Sequence, residues 1–285
     1  MRKIITLLCF LPLTVAAQDF HFSARLGIAN YQGDLQAKRI TFKQSRLLGS
    51  LGAQYDLSEH FTARTYFTLT SLRADDKKGT ASMQRRNLNF STKVFDWELG
   101  VQYNILSLNE SWFTPYVFAG IGLFHYKPYT HNEDGTKTFL QPLSTEGQGI
   151  VSGISSYKLT QLNIPIGIGA MYVVNEDMRV GLELGYRKLF TDYLDDVSKE
   201  YVDQGTLLAA RGQTAVDLAY RGDEVGAGTY PAAKTARGNS KDKDGYYYMA
   251  LTLTVRSVIF DTYRRIAGLP TYRRDKKVGC PATHF

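Results

Sequence analysis

The chain has 285 residues and a formal net charge of +7, and 44% of its residues are hydrophobic and 13% aromatic. Beyond residue 17 it has no apolar run of the roughly 18 to 20 residues that a membrane helix needs, which excludes a helical membrane domain. Tyrosine, phenylalanine, glycine and threonine are frequent and proline is scarce, a composition that favours β-strands. Nothing in this composition predicts a nucleic-acid partner.

The amino terminus, MRKIITLLCFLPLTVAAQ, has the three parts of a secretory signal peptide. Arg2 and Lys3 form the basic start, an apolar run follows, and small residues precede Gln18. We therefore predict cleavage after Ala17, with residues 1–17 as the signal peptide, and export of the mature chain. Lipidation of Cys9 is disfavoured because Leu8 precedes it, where a small residue is expected.

Removal of the signal peptide leaves Cys280 as the remaining cysteine, so no internal disulfide is expected. A lone cysteine in an exported protein indicates an intermolecular bridge or a free thiol. An inert cysteine in the tail is the plainer alternative.

Eight stretches alternate between apolar and polar residues with a period of two, the pattern of a strand with two different faces. In chain order they cover residues 20–29, 47–55, 61–69, 95–103, 113–126, 162–172, 180–186 and 247–255. In the first of them, Phe20, Phe22 and Leu26 alternate with His21 and Arg25. The fifth is apolar on both faces, so its register stays open.

The connections alternate in length. Short turns join strands two and three, four and five, and six and seven, whereas residues 31–45, 74–86, 127–158 and 191–245 form long loops. Short turns on one side and long loops on the other are typical of an outer-membrane barrel, and an even strand number places both ends on the turn side, the periplasm. We predict a barrel over residues 18–260, with the long loop 191–245, and a tail over residues 261–285.

A soluble β-sandwich or a lipocalin-like barrel would show the same alternation. The polar face, however, carries charges that a dry core would have to pair at high cost, whereas a membrane barrel would turn them into its lumen. We predict a lumenal charge network of Arg25, Arg64, Asp96, Glu98, Arg179, Glu183 and Arg187.

Aromatic residues cluster near the predicted strand ends, as interfacial girdles require. These residues are Tyr55, Phe61, Tyr103, Phe113, Tyr172, Tyr186 and Tyr246 to Tyr248. The predicted fold class is therefore all-β: an eight-stranded antiparallel transmembrane up-and-down barrel with long extracellular loops and a periplasmic C-terminal tail.

No catalytic or metal-binding motif supports an enzyme, and no cofactor is predicted. The five histidines lack the HExxH pattern, the chain lacks GxSxG, and His21 and His125 are expected near opposite rims. The stretches "NEDG" and "DKDG" resemble the start of a calcium loop but lack its distal glutamate, so we predict turns. An eight-stranded barrel is just wide enough for its own side chains, which argues against an open pore.

The stretch "RKLFTDYLDDVSKEYVD", residues 187–203, carries five carboxylates. Without a nearby histidine or a complete metal pattern, we predict a strand-to-loop junction that folds over the barrel mouth against lumenal arginines. Thr191 or Asp192 is expected to cap a short helical turn, with Asp195 and Asp196 at its positive end.

The tail is basic and extends past the last strand. A cationic segment of this kind favours docking on an acidic protein or on phosphate groups, with a disordered, solvated tail as the alternative. We predict partner contacts at Cys280, Arg273, Arg274, Lys276 and Lys277.

Several stretches spread along the mature chain carry a family resemblance. They are "NYQGDL" (30–35), "RRNLNF" (85–90), "FTPYVFAGIGLFHYKP" (113–128), "LQPLSTEGQG" (140–149), "IPIGIGAMYVVNEDMRVGLELGYRKLFTDYLDDVS" (164–198) and "RRDKKVGCP" (273–281). Through them the sequence resembles the PorG-like outer-membrane β-barrels of the bacterial type IX secretion system. The TEGQG and TDYLDDVS stretches are the most specific.

The resemblance implies a non-enzymatic component of a protein-secretion and gliding machinery that ties a periplasmic ring of a lipoprotein and its partner to the outer membrane. It makes the tail the expected periplasmic contact, with a Cys280 disulfide to the ring lipoprotein, and outer-membrane lipid the second partner. The Ala/Gly-rich segment 205–243 matches nothing in the family. The alternatives are a paralogue with another role, or a barrel acting in surface adhesion or lipid packing through its extracellular loops.

Overall fold

A computed structural model describes residues 20–257, except 108–109, 133 and 176, together with Ile266. The predicted signal peptide, Cys9 and the tail residues 273–281 lie outside the described residues, and their assignments stay predictions.

The described chain forms a closed antiparallel barrel. Its eight wall strands are β1 (Phe20–Gln32), β2 (Arg46–Asp56), β3 (Phe61–Asp75), β4 (Asn89–Asn104), β5 (Phe113–Tyr126), β8 (Thr160–Asn175), β9 (Met178–Leu189) and β10 (Gly245–Arg256). Each strand pairs with its chain neighbour in the wall, and β1 pairs with β10 to close the ring. The predicted eight-stranded antiparallel barrel and all eight of its strands are confirmed. None of the helices among the described residues combines the length and the apolar character needed to cross a membrane.

The long loops fold into a second layer over one end of the barrel. It contains the hairpin β6 (Tyr129–His131) and β7 (Lys137–Phe139), and the helices α1 (Ala81–Arg86), α2 (Gln204–Arg211) and α3 (Gln213–Ala219). Single 3₁₀ turns occur at Asp76–Lys78, Gln141–Leu143 and Asp223–Val225. We call this layer, formed by residues 33–45, 76–88, 127–159 and 190–244, the cap.

Both ends of the described barrel leave on the side of the short turns. The Ser257 amide donates to the Phe20 carbonyl at 2.9 Å, and the Arg256 amide donates to Asp177 in the β8–β9 turn at 2.8 Å. A tail that follows residue 257 therefore starts on the side opposite the cap, as the even strand number predicts.

The two faces of the wall differ in polarity at every second residue. Leu26, Leu51 and Leu251 point outward and are 68–71% exposed, whereas Arg25 and Arg64 point inward and are at most 3% exposed. The same alternation settles the register of β5, where Thr114, Tyr116 and Phe118 face the lumen. The outer wall is apolar and the lumen is polar, the inverse of a soluble core.

One part of the predicted aromatic girdle is wrong. Tyr246 and Tyr248 are buried in the lumen, and only Tyr247 between them faces outward. Their hydroxyl groups donate to Asp96 and Glu183, both at 2.5 Å. A run of aromatic residues at a strand end does not share one face, because neighbouring side chains in a strand point in opposite directions.

Close packing inside the wall predicts a strong effect of one added methyl group. A Cβ atom at Gly185 would lie 2.3 Å from two ring carbons of Tyr248, whose hydroxyl is fixed by Glu183. We expect Gly185→Ala to lower the free energy of unfolding by about 1–3 kcal/mol. Urea unfolding in lipid vesicles, followed by tryptophan fluorescence, measures this change.

Gly49→Ala is the matched control, because no atom lies within 4 Å of a Cβ built at Gly49. Its effect should stay below about 1 kcal/mol. Equal destabilisation by the two substitutions would contradict the packing described here.

Candidate functional site

The barrel lumen holds a network of buried charges. Glu98 accepts hydrogen bonds from Arg25 at 2.7 Å and from Arg64 at 3.3 Å, and it also pairs with Arg187. Glu183 lies 2.9 Å from the nearest guanidinium nitrogen of Arg64 and 3.3 Å from that of Arg25. Each glutamate therefore bridges at least two guanidinium groups.

Asp96 extends the network towards the cap. It pairs with Arg187 at 3.2 Å and accepts hydrogen bonds from Asn163 at 3.0 Å and from Tyr246 at 2.5 Å. Three arginines thus meet three carboxylates, so the formal charges of the network cancel. Balance matters here, because a buried charge without a partner destabilises a fold by several kcal/mol.

The seventh predicted member, Arg179, lies apart from the other six. It donates to Asp56 at 2.7 Å near the turn side, with His21 Nδ1 3.8 Å from the same carboxylate. Asp56 was not predicted as a lumenal residue, although it continues the inward phase of Ser50 and Gln54 in β2. The structure places all seven predicted residues inside the barrel, six of them in one network.

Tyrosines complete the lumen and were not predicted there. The Tyr116 hydroxyl donates to Glu183 at 2.9 Å, and the ring of Tyr66 stacks under Arg25 with 3.2 Å from the guanidinium carbon to the ring centroid. Tyr66 lies two residues after Arg64, and Tyr116 two residues after Thr114, so each tyrosine shares the inward face of its strand. This spacing could have predicted their lumenal position. These rings and the ion pairs fill the lumen with side chains.

A ladder of aromatic rings connects the lumen to the cap. Phe124 and Tyr126 of β5 stack with 5.3 Å between ring centroids, Tyr157 stacks on Tyr126 at 6.4 Å, and Tyr193 stacks on Tyr157 at 4.8 Å. The first two rings belong to the wall and the last two to different cap loops. The cap is thus anchored on the barrel mouth by continuous apolar contact.

The cap loops are held to each other by buried polar contacts. Glu146 accepts hydrogen bonds from the backbone amides of Ser198 at 2.9 Å and Lys199 at 3.0 Å, and it pairs with Arg237 at 3.1 Å. Asp196 accepts from Thr145 at 2.5 Å and from Tyr157 at 2.6 Å. These bonds join the TEGQG and TDYLDDVS stretches directly.

Arg86 and Arg237 extend these contacts to the remaining loops. Arg86 pairs with Asp76 at 2.8 Å and donates to the carbonyl groups of Asp34 and Arg237. Arg237 also donates to the Asp196 carbonyl at 2.6 Å. Residues of the 33–45, 76–88, 127–159 and 190–244 loops therefore meet in one polar cluster.

The predicted helical turn after Thr191 is wrong. Residues 191–203 form bends and irregular backbone, and the helix begins only at Gln204, where Asp203 caps α2 by accepting from Thr206 at 2.8 Å. The earlier carboxylates have tertiary partners instead, including the Ser198 hydroxyl on Asp192 at 2.7 Å. The arginine that meets this stretch is Arg237 of the same long loop, not one of the predicted lumenal arginines.

Two carboxylates in the cap share one tyrosine hydroxyl. Tyr31 Oη lies 2.5 Å from Asp195 and 3.4 Å from Asp244, and all three side chains are buried. Burial raises the pKa of both carboxyl groups well above the usual range, and the negative charge of Asp195 raises that of Asp244 further. Burial also raises the pKa of Asp192 and of Asp196 to about 6.

The histidines are scattered over the described part of the molecule. His21 is buried near the turn side, His60 Nδ1 donates to the Asn104 carbonyl at 2.8 Å in a turn, and His125 lies exposed on the outer wall beside Thr160 at 2.8 Å. His131 belongs to β6, and His284 lies outside the described residues. Within the residues the structure describes, no group of three or more His, Cys, Asp or Glu is placed to hold a metal ion.

Asp134 and Asp242, from the two stretches that resemble calcium loops, lie at turns. Asp134 accepts from the backbone amide of Thr136 at 2.8 Å, and Gly135 follows with φ of 81°. Asp242 accepts from the Asn239 side chain at 2.9 Å. Local hydrogen bonds of this kind are the usual role of Asp and Asn in turns.

The sequence matches the family model described as a domain of unknown function, DUF6089, over residues 1–208, more than half of the chain. The chain belongs to the DUF6089 family. No curated protein matches it.

Solved structures of small outer-membrane barrels are similar at low sequence identity. A major outer-membrane protein of Thermus thermophilus shares 12% identity with a TM-score of 0.43, and Neisserial surface protein A shares 11% with 0.41. Ail, the attachment invasion locus protein of Yersinia pestis, shares 10% with 0.41. Each alignment covers 85% of this chain and 100% of the other. The barrel assignment rests on the strand pairing of this chain itself.

The lumenal network predicts a large cost for neutralising its central carboxylate. Glu98→Gln removes the negative charge that Arg25, Arg64 and Arg187 share. We expect the free energy of unfolding in vesicles to fall by about 3–5 kcal/mol, as for other buried pairs broken on one side.

Glu110→Gln is the control, since Glu110 lies exposed in the β4–β5 turn. Its unfolding free energy should change by less than about 0.5 kcal/mol. A Glu98→Gln barrel as stable as the control would show that the network does not hold the lumen together.

The carboxylates of the cap predict a cap that loosens as the pH rises. Asp192 and Asp196 have a folded pKa of about 6, above the roughly 3.9 of an unfolded aspartate, so the folded cap binds more protons between these values. Its stability is then greatest below the unfolded pKa and falls as the pH rises through the folded one. Hydrogen exchange of the backbone amides of residues 194–199, corrected for intrinsic rates, should show protection decreasing from about pH 5 to about pH 7.

Asp192→Asn should flatten part of this dependence, because it keeps an acceptor for Ser198 and removes the titrating group. Protection that increases over the same interval would contradict the prediction.

Proposed function

We propose that the protein is a non-enzymatic outer-membrane barrel that anchors a periplasmic ring of a type IX protein-secretion machinery. The observation that carries the proposal is the filled lumen. Six ion-paired side chains and several tyrosines occupy the interior of an eight-stranded ring, which leaves little room for a conduit. Function then lies on the surfaces of the barrel, and an anchor needs only such surfaces.

The outer wall supports a membrane location. Leucine, isoleucine, valine and phenylalanine side chains point outward from the eight wall strands, a surface that water would not stabilise. Rings also cluster at the turn side, where Trp112 packs edge-on against Tyr172 at 4.9 Å and Phe61 meets Tyr103 at 5.2 Å. Aromatic rings at the end of a barrel wall are typical of an interfacial girdle.

The secretion role is supported by the sequence resemblance and by the side on which the chain leaves the barrel. Residue 257 lies on the turn side, so the basic tail with Arg273, Arg274, Lys276 and Lys277 would enter the periplasm. There it would meet an acidic face of the ring lipoprotein, with Cys280 as the candidate for a disulfide.

A second candidate function is surface adhesion or lipid packing through the loops. The observation that favours it is the cap, in which four loops are tied by buried bonds such as Arg237 to Glu146 at 3.1 Å. Ordered extracellular loops present a fixed surface to a partner, whereas loops that serve only as connections need no such bonds.

Removing positive charges from the tail or from the cap distinguishes the two functions. Replacement of Arg273, Arg274, Lys276 and Lys277 by alanine should reduce recovery of ring components from gently solubilised membranes and abolish cargo secretion. Cys280→Ala should remove a high-mass adduct from non-reducing gels. These outcomes follow if the tail carries the contact.

The matched control removes four exposed cations of the cap, Lys158, Lys199, Lys234 and Lys241, and should leave secretion intact. Deletion of the whole 205–243 segment is less informative, because it would remove Arg237 and open the cap. Secretion kept in both variants, with adhesion lost in the cap variant alone, would favour the second function. Loss of a lipid-modifying activity in His125→Ala would contradict the non-enzymatic proposal.

A further inference from the structure

A short segment of the β1–β2 loop is fixed against the outer wall of the barrel. The Tyr247 hydroxyl accepts from the Thr41 amide and donates to the Thr41 carbonyl, both at 2.6 Å. The Asn30 side-chain amide donates to the same carbonyl. Asn30 and Tyr247 are direct partners across the β1–β10 seam and both point outward, so the loop is held on the face that would contact lipid.

The residues on either side of Thr41 are large and apolar. Ile40 is 70% exposed and Phe42 is 62% exposed, although the rest of residues 38–43 is cationic or polar. Water does not stabilise two such side chains on a loop that is fixed in place. Their exposure is explained if an apolar ligand covers them.

This segment and the wall line a groove together. Its volume is about 620 Å³, and Ile40 and Phe42 line one side of it. The other side is formed by outward residues of four strands, Ile28 of β1, Met249 of β10, Leu184 of β9 and Ile166 of β8. The volume lies within the range of about 300–1,000 Å³ of pockets that bury small ligands.

Positive charges stand at the cap end of the groove. Lys188 lies exposed two residues beyond Tyr186 on the same outward face of β9, and Arg39 interacts electrostatically with the Tyr186 hydroxyl. Lys38 and Lys43 flank the apolar pair and are exposed. An apolar slot with cations at its outer end complements an amphiphile with an anionic head.

We propose that this groove binds a phosphorylated glycolipid of the lipid A type, with one acyl chain between the loop and the wall and a phosphate at Arg39 and Lys188. The assignment of the leaflet rests on the proposed outer-membrane location, in which the cap side faces outward and the adjoining leaflet is the one built from such glycolipids. The loop segment supplies the second wall that turns lipid-facing surface into a site.

Retention of lipid by the purified protein tests the proposal without the secretion machinery. The full-length protein in detergent micelles is titrated with monophosphorylated lipid A, and bound lipid is counted by native mass spectrometry. We expect Ile40→Ser combined with Phe42→Ser to weaken binding roughly ten-fold or more, because two apolar contacts are lost. Arg39→Gln with Lys188→Gln should weaken binding of the phosphorylated lipid and leave binding of its dephosphorylated form unchanged.

Tyr247→Phe keeps the ring and removes the hydroxyl that fixes Thr41, so it should weaken binding while the barrel stays folded. Leu208→Ser with Val225→Ser is the matched control, since both residues are exposed apolar side chains of the cap outside the groove, and its binding should equal that of the unchanged protein.

Equal binding by the Ile40/Phe42 variant and the control would overturn the proposal. Stronger binding of phosphatidylglycerol than of lipid A by the unchanged protein would overturn the choice of ligand. Neither result bears on the anchoring role, which is measured by secretion and ring recovery. Conversely, a protein that binds lipid A in micelles but fractionates away from the outer membrane would leave the groove assigned and contradict the proposed location.

Discussion

The ion pairs between Glu98, Glu183 and the lumenal arginines are the interaction on which the rest of the structure depends. They occupy a space that eight strands make too narrow for both large side chains and bulk water. Six charged groups are tolerable there only because each meets an opposite charge and hydrogen-bond partners. Once the polar residues are turned inward in this way, every alternate residue of the wall faces outward, and the apolar surface of the barrel follows.

The cap is a second unit that depends on the first through the stack of Phe124, Tyr126, Tyr157 and Tyr193. The contacts within the cap differ from those in the lumen. Carboxylates accept hydrogen bonds from backbone amides, and guanidinium groups donate to backbone carbonyls. The stretches that carry the family resemblance meet here, since Glu146 of TEGQG holds the backbone after TDYLDDVS. A barrel wall accepts many apolar residues at each position, whereas Glu146 has three defined partners, so a resemblance of this specificity is better explained by the cap than by the strands.

The sequence predicted the strands because wall and lumen differ at every second residue, and that contrast is local. The same reasoning located the charged lumenal residues. It placed Tyr246 and Tyr248 in the outer aromatic girdle because they are aromatic, although their alternation with Tyr247 points them into the lumen. The helical turn at Thr191 failed for another reason. The partners of its carboxylates, such as Thr145 and Tyr157 on Asp196, are tens of residues away in sequence, and no local pattern records them. The contact between Thr41 and Tyr247 is more distant still, and only the closed barrel brings the two together.

The closure of the barrel between β1 and β10 has a mechanical consequence. The last strand is paired along both of its sides, with twelve residue pairs to β1 alone. A force applied to the chain after residue 257 therefore cannot peel an edge strand away, because the ring has none. The force must strain two hydrogen-bond ladders at once. It must also break the hydrogen bonds of Tyr246 and Tyr248 to lumenal carboxylates. Such a barrel resists a force from the turn side better than a sheet with a free edge does.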